Sequence, residues 1–128
     1  MARILCIEDD AETRILLRKS LENAGLQVDA VWNGEKGVQA AMSGSFDCVI
    51  LDLMMPGMDG FQVIQTLKTQ GLTSKLPLMV VTARTDNASR QRALAAGADA
   101  YMVKPFDLTE LVGNIHKLLD GQPVDSPA

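Results

Sequence analysis

The sequence CVILDLMMPGMDG, residues 48–60, contains the clearest structural signals in this chain. Its first four residues, Cys48 to Leu51, are all apolar, which is typical of a strand buried on both faces of a parallel sheet. Asp52 ends this run, and the loop after it contains a proline and two glycines, which interrupt regular structure. In an open α/β sheet, ligands bind in the crevice beyond the carboxyl ends of the strands. Asp52 is therefore a candidate site residue, although alone it is more simply interpreted as a helix cap or loop carboxylate.

Composition limits the classes of protein to be considered. A chain of 128 residues fits one domain with one real core. The net charge is −4 and basic residues do not cluster, so direct binding to nucleic acid or to an anionic membrane is not expected. Cys6 and Cys48 lie in apolar runs and are predicted to be buried free thiols in a reducing compartment. No signal peptide or apolar run of ~18 residues is visible, so we expect a cytoplasmic protein.

Strand-like and helical patterns alternate along the rest of the chain. The strands are predicted at residues 3–7, 26–32, 46–51, 78–82 and 100–103. The helices are predicted at residues 11–24, 35–42, 61–71, 86–96 and 107–119, with a polar linker at 73–75. This βαβαβαβαβα order predicts a parallel sheet with helices on both faces and right-handed crossovers. Neither a G-x-G-x-x-G nor a P-loop pattern is present, which disfavours nucleotide binding.

Three helices have features that the structure can test. In the first, Ile15, Leu16, Leu17 and Leu21 recur at helical spacing and are expected to form its apolar side. The fourth has mostly alanine on its apolar side, so light packing is expected. The last is predicted to begin with a capping box, in which the side chains of Asp107 and Glu110 each accept a hydrogen bond from the other residue's backbone N–H.

Polar side chains follow four of the predicted strands. They are Glu8-Asp9-Asp10, Asp52, Thr82 and Lys104. The carboxyl ends of parallel strands meet at one edge, so these groups are expected to converge there, where a cation must offset the carboxylates. Oxygen ligands with room for water suit Mg²⁺, and acid, metal, hydroxyl and amine together indicate phosphoryl transfer to an aspartate. Each residue alone has a simpler interpretation: a helix cap for Asp9 or Asp10, an ordinary strand end for Thr82, a solvated turn for Lys104.

The motifs together resemble one family. They are IEDD at 7–10, LDLMMPGMDG at 51–60, VTA at 81–83, GADAY at 97–101 and KPF at 104–106. The chain resembles the CheY-like receiver domains of two-component response regulators over residues 3–119. The resemblance implies a flavodoxin-like, doubly wound α/β fold with five parallel strands in the order 2-1-3-4-5 and five helices. It also implies a receiver domain at 1–121 and a flexible tail at 122–128.

The resemblance implies a role for each acidic residue. Asp52 would accept a phosphoryl group from a sensor histidine kinase or a histidine phosphotransfer protein. Asp9, Asp52 and the Met54 backbone carbonyl would bind Mg²⁺ directly, Glu8 would bind it through water, and Mn²⁺ could substitute. The family's activity is that of a switch that catalyses only its own phosphorylation and dephosphorylation.

The resemblance also implies roles for the residues after the fourth and fifth strands. Lys104 would pair with Asp52 and bind a phosphoryl oxygen, and its peptide bond to Pro105 would be cis. Thr82 would move toward the phosphoryl group and Tyr101 would follow it inward. This movement would alter the face formed by the fourth helix, fifth strand and fifth helix, which would contact a downstream protein or output domain. The active form would be a monomer or a phosphorylation-dependent dimer.

Two positions are expected to set the lifetime of the phosphoryl group. Met54 and Arg84 stand two residues after Asp52 and two after Thr82. The resemblance implies that side chains at these two positions flank the approach of water. Neither is a base that could activate water, so a long lifetime is expected.

Two other functions are alternatives to the switch. An aspartyl-nucleophile phosphohydrolase would place a second aspartate two residues after Asp52, where this chain has Met54. A receiver from a DNA-binding transcription factor would have the same residues at the site. The chain shows no helix-turn-helix pattern, but a fragment ending in the proline-containing tail would look the same.

Overall fold

A computed structural model describes residues 1–72 and 76–124, and within these ranges five strands alternate with five helices. The strands are β1 (Arg3–Ile7), β2 (Gln27–Val31), β3 (Cys48–Leu51), β4 (Leu78–Thr82) and β5 (Ala100–Val103). The helices are α1 (Ala11–Asn23), α2 (Gly34–Ser43), α3 (Gly60–Thr69), α4 (Asn87–Ala96) and α5 (Leu108–Leu119). The strands pair in parallel in the order β2-β1-β3-β4-β5, which confirms the predicted fold. The predicted linker at 73–75 and the last four tail residues lie outside the described residues.

The sheet separates two hydrophobic cores. Side chains alternate across a strand, so each strand contributes to both cores. One core holds Leu5, Ile7, Val49, Leu51 and Val80 of the sheet with Val38 of α2, Val63, Ile64 and Leu67 of α3 and Ala93 of α4. The other holds Ile4, Cys6, Cys48, Ile50, Met79 and Val81 with Leu17 and Leu21 of α1 and Leu111 and Ile115 of α5. All of β3 is buried, as its unbroken apolar run predicts.

The apolar side of α1 is narrower than predicted. Leu17 and Leu21, four residues apart, face the sheet and are buried. Ile15 and Leu16 are 53% and 47% exposed, so the prediction was wrong for these two residues. A helix turns about 100° per residue, which directs them away from the face that Leu17 and Leu21 share.

The packing of α4 is light, as its composition predicts. Its buried residues are Ser89 and Ala93, and the Arg92 guanidinium lies 3.9 Å from the centre of the Phe61 ring on α3.

The predicted capping box of α5 is half formed: the Asp107 side chain accepts from the Glu110 N–H at 3.0 Å. A reciprocal box forms instead at α3, between Asp59 and Gln62.

The two cysteines are free and buried, on adjacent strands β1 and β3. Burial raises the pKa of Cys6 and of Cys48 to about 12, so both remain protonated thiols at neutral pH. Among the residues that the structure describes, no helix is both long and apolar enough to cross a bilayer.

Candidate functional site

Asp52 lies directly after β3 at the carboxyl edge of the sheet and is 5% exposed. Both of its carboxylate oxygens are held. Oδ1 accepts a hydrogen bond from the Met54 backbone N–H at 3.0 Å, and Oδ2 lies 2.9 Å from the Lys104 ammonium. The turn after β3 therefore fixes one oxygen, and the residue after β5 neutralises the other.

Glu8 is the second buried acid of the site and is 2% exposed. Its Oε1 lies 2.6 Å from Lys104 Nζ, and its Oε2 accepts from the Asp10 N–H at 3.2 Å. Burial raises the pKa of Glu8 to about 7, although the hydrogen bond from Lys104 acts in the opposite direction. Burial alone would lower the pKa of Lys104, but its bonds to Asp52 and Glu8 outweigh that effect and raise it. The Lys104 ammonium therefore bridges two buried carboxylates.

The third acid, Asp9, completes a cluster that suits a hard cation. One carboxylate oxygen from each of Glu8, Asp9 and Asp52 lies within 4.8 Å of the others. Asp9 is exposed, and within residues 1–72 and 76–124 its carboxylate makes no hydrogen bond or ion pair. Asp10 has a different role: its side chain caps α1 by accepting from the Thr13 N–H at 2.9 Å. Carboxylate oxygens at one rim fit Mg²⁺, which takes oxygen ligands and retains several waters.

The residues predicted to form the switch lie beside this cluster. Thr82 is buried at the end of β4, and its Oγ1 accepts from the Arg84 N–H at 3.4 Å. Tyr101 of β5 is also buried, and its hydroxyl donates to the Arg84 carbonyl at 2.9 Å. The tyrosine ring is thus already inward in this structure. The Lys104–Pro105 peptide bond is cis.

Met54 and Arg84 lie on a shared rim. Together with Leu53, Met55, Pro56, Asp59 and Phe61, they line a cavity of about 390 Å³ next to the Asp52 turn. The Met54 side chain is more than half exposed. Arg84 Nε lies 3.2 Å from Asp86 Oδ1, so Asp86, the N-cap of α4, holds the guanidinium.

Three further residues were missed by reasoning from sequence. Asp86 is one, since its contact with Arg84 depends on the path of the loop. Gly60 is the second: a Cβ there would lie 2.5 Å from the Leu53 Cα and 2.6 Å from the Asp52 carbonyl oxygen. The third is Arg14 of α1, whose Nη1 donates to the carbonyls of Glu8 at 2.9 Å and Asp9 at 3.2 Å. For Gly60 the sequence did contain a signal, namely a glycine at the start of a helix just after the Asp52 turn. The contacts of Asp86 and Arg14 could be seen only in the structure.

Comparison with known proteins shows the family to which the chain belongs. The family model described as response regulator receiver domain matches residues 4–116. The Escherichia coli transcriptional regulatory protein PcoR is 40% identical over 119 residues, which are 93% of this chain and 52% of that protein. The transcriptional regulatory protein HprR of E. coli K12 is 40% identical over 117 residues, or 91% and 51%. The chain thus spans about half the length of these curated relatives.

Two solved structures have the same fold. The Vibrio cholerae chemotaxis response regulator CheY4 matches with a TM-score of 0.86 and 28% identity, over 92% of this chain and 98% of that one. The Thermotoga maritima response regulator TrrA, solved in complex with Mg²⁺ and BeF, matches with a TM-score of 0.82 and 34% identity, over 92% and 99%. With the family-model match over residues 4–116, the acidic cluster and the strand order described above, these matches establish the family. The chain belongs to the response regulator receiver domains, the signalling switches of two-component systems.

Proposed function

We propose that Asp52 is the phospho-acceptor of this receiver domain. The observation that carries the proposal is the pairing of the buried Asp52 carboxylate with Lys104 beside two further acids. A buried carboxylate with a fixed cation is a nucleophile whose product would meet a positive charge already in place. The group would come from the phosphohistidine of a sensor kinase or phosphotransfer protein. An Asp52 oxygen would form the new bond to phosphorus as the bond from phosphorus to the histidine nitrogen breaks.

The residues of the acidic cluster fit a bound Mg²⁺. Asp9, Asp52 and the Met54 backbone carbonyl would hold it directly and Glu8 through water, and Mn²⁺ would be accepted as well. Bound there, the cation would offset negative charge on the phosphoryl oxygens. Asp9 supports this assignment because its exposed carboxylate is unpaired among the described residues. Lys104 would move from pairing with carboxylates to binding a phosphoryl oxygen.

Incubation with acetyl phosphate and Mg²⁺ tests the phospho-acceptor. Intact-mass measurement should show one phosphoryl adduct on the wild type and none on Asp52→Asn or with EDTA present. Asp47→Asn, on the opposite edge of the sheet, is the matched control and should be phosphorylated normally. An adduct of equal yield in Asp52→Asn, or one formed without a divalent cation, would overturn the assignment.

The output is proposed to pass through a protein surface. Thr82 and Tyr101 would transmit phosphorylation to the face formed by α4, β5 and α5, where a downstream protein or output domain would bind. Beyond its own phosphorylation and dephosphorylation, the domain is proposed to turn over no substrate. The relatives named as transcriptional regulators favour an output in transcription. The acidic balance of this chain indicates that DNA would be bound by another domain or partner, so this chain alone should not retard duplex DNA at physiological salt.

Three further expectations stand as part of this proposal. We place the domain at residues 1–121, followed by a tail at 122–128 of which residues 125–128 lie outside the described ones, in a cytoplasmic protein. Val124 of that tail packs against the core of the α1 and α5 side. The active form is proposed to be a monomer or a phosphorylation-dependent dimer, which light scattering with and without beryllofluoride would distinguish.

A further inference from the structure

Arg14 connects the first helix to the backbone of the acidic loop. Its Nη1 donates to two consecutive carbonyls, those of Glu8 at 2.9 Å and Asp9 at 3.2 Å. Its own backbone N–H donates to the Asp10 carbonyl at 2.9 Å, within the first turn of α1. The side chain is half-buried, so it is held between the helix and the loop. The guanidinium thus fixes the two peptide units from which the Glu8 and Asp9 side chains project.

The positive charge of Arg14 should oppose the binding of a cation nearby, and this makes the role of Arg14 testable. The fixed positive charge of Arg14 lies near the acidic cluster and repels a divalent cation bound there. No carboxylate neutralises this charge in an ion pair among the described contacts, because the hydrogen bonds of the guanidinium go to carbonyl oxygens. A role through charge alone would therefore weaken metal binding. A role through geometry would strengthen it, because Asp9 is exposed and its carboxylate has no partner in the described part of the chain to orient it.

We propose that Arg14 is a positioning residue for the divalent cation. It holds the Glu8–Asp9 backbone so that their carboxylates converge with that of Asp52. The inference rests on the proposed function of the acidic cluster. Mutation of a residue that orients metal ligands without binding the metal itself typically lowers metal affinity by about 10-fold or more. We expect that gain to exceed the repulsion from the guanidinium, which solvent at this half-exposed rim screens.

The experiment is a Mg²⁺ titration of the whole chain followed by NMR shifts of the amides at 8–10 and 52–54. Arg14→Gln removes the positive charge of the side chain and shortens it, so that it no longer extends to both carbonyls. Arg14→Lys keeps the charge with a slightly shorter side chain. Arg18→Gln is the matched control, because Arg18 lies one turn further along α1 and pairs with Glu22 at 3.8 Å. Arg14→Gln should bind Mg²⁺ about tenfold more weakly, Arg14→Lys should lie between it and wild type, and Arg18→Gln should match wild type.

The outcomes separate this inference from the function on which it rests. Wild type that binds no Mg²⁺, or Mg²⁺ binding unaffected by Asp52→Asn, would overturn the proposed site and the role of Arg14 together. Wild type that binds normally, with Arg14→Gln binding as tightly or more tightly, would overturn the role of Arg14 alone. At saturating Mg²⁺, Arg14→Gln should regain the wild-type rate of phosphorylation by acetyl phosphate, and a persistent deficit would contradict positioning. Should Arg14→Gln fail to fold, Arg14→Lys carries the test, with weaker binding expected and unchanged affinity against it.

Discussion

The hydroxyl of Tyr101 donates a hydrogen bond of 2.9 Å to the backbone carbonyl of Arg84. This bond ties β5 to the loop after β4, and the N–H of Arg84 in turn donates to the Thr82 hydroxyl at 3.4 Å. A side chain of the predicted output face is therefore two hydrogen bonds away from a residue at the proposed phosphorylation site. Any movement of Thr82 must alter or break this short series of contacts.

Tyr101→Phe tests this coupling, because it keeps the buried ring and removes only the hydroxyl. In wild type, beryllofluoride should shift NMR resonances around Asp52 and also those from Asp86 to Tyr101. In the variant, the shifts around Asp52 should persist, those of α4 should shrink, and stability should fall by about 1 kcal/mol. Wild-type shifts confined to the acidic crevice would contradict the switch itself. Full-sized α4 shifts in the variant would show that coupling does not need this hydroxyl.

Glu8 should make stability depend on pH in the metal-free protein. Its pKa is raised from 4.5 to about 7 by burial, so the folded state binds more protons than the unfolded state between these values. Stability from this group is therefore fully present below about pH 4.5 and is lost as pH rises through about 7. The hydrogen bonds to Asp52 and Glu8 raise the pKa of Lys104 above its ordinary value, so its charge is constant in this window.

The measurement is urea unfolding in EDTA at pH 5 and pH 7.5, for wild type and Glu8→Gln. Wild type should lose stability relative to Glu8→Gln on going to the higher pH, by at most roughly 3 kcal/mol. This value already includes the pairing with Lys104, which acts against the effect of burial on the pKa of Glu8. Parallel pH profiles for the two proteins would show that Glu8 does not titrate in this range.

Gly60 should tolerate no side chain. An alanine Cβ would meet backbone atoms of Leu53 and Asp52 at 2.5 and 2.6 Å, and backbone cannot move aside as a flexible side chain can. Gly60→Ala should cost about 1–3 kcal/mol and lower the yield of phosphorylated protein, since the turn after Asp52 must shift. Gly113→Ala in α5 is the control, because nothing lies within 4 Å of its Cβ position. It should stabilise the protein by about 0.5–1 kcal/mol. Equal stabilities for the two variants in chemical denaturation would contradict this interpretation.

The lifetime of phospho-Asp52 should increase with the shielding by Met54 and Arg84. These residues share the rim next to the Asp52 turn, and neither can activate water. Replacing Met54 with Asn and Arg84 with Glu introduces groups that can hydrogen-bond water, so the double variant should lose the phosphoryl group severalfold faster by mass measurement. Arg84→Gln is a useful control, because Arg84→Glu also places a negative charge beside Asp86. Unchanged decay in the double variant would show that these positions do not set the lifetime.

The sequence predicted the sheet and most of the cluster because both depend on local patterns. An unbroken apolar run specifies a strand such as β3, and polar residues after parallel strands must meet at one edge. Contacts made by long side chains could not be predicted from the sequence. Nothing in the order of residues indicates that Arg14 bonds carbonyls or that Asp86 holds Arg84. The exposure of Ile15 and Leu16 was missed for another reason, since three consecutive apolar residues at 15–17 do not show which of them faces the sheet with Leu21.

The ion pair between Lys104 and Glu8 joins residues that are 96 positions apart in the chain. During synthesis, the acids emerge from the ribosome long before the cation that neutralises them. A nascent chain that ends before β5 therefore has its carboxylates without the ammonium that would meet a phosphoryl group. On the proposed function, the site is therefore complete only after residue 104, directly following β5, has been synthesised and has docked.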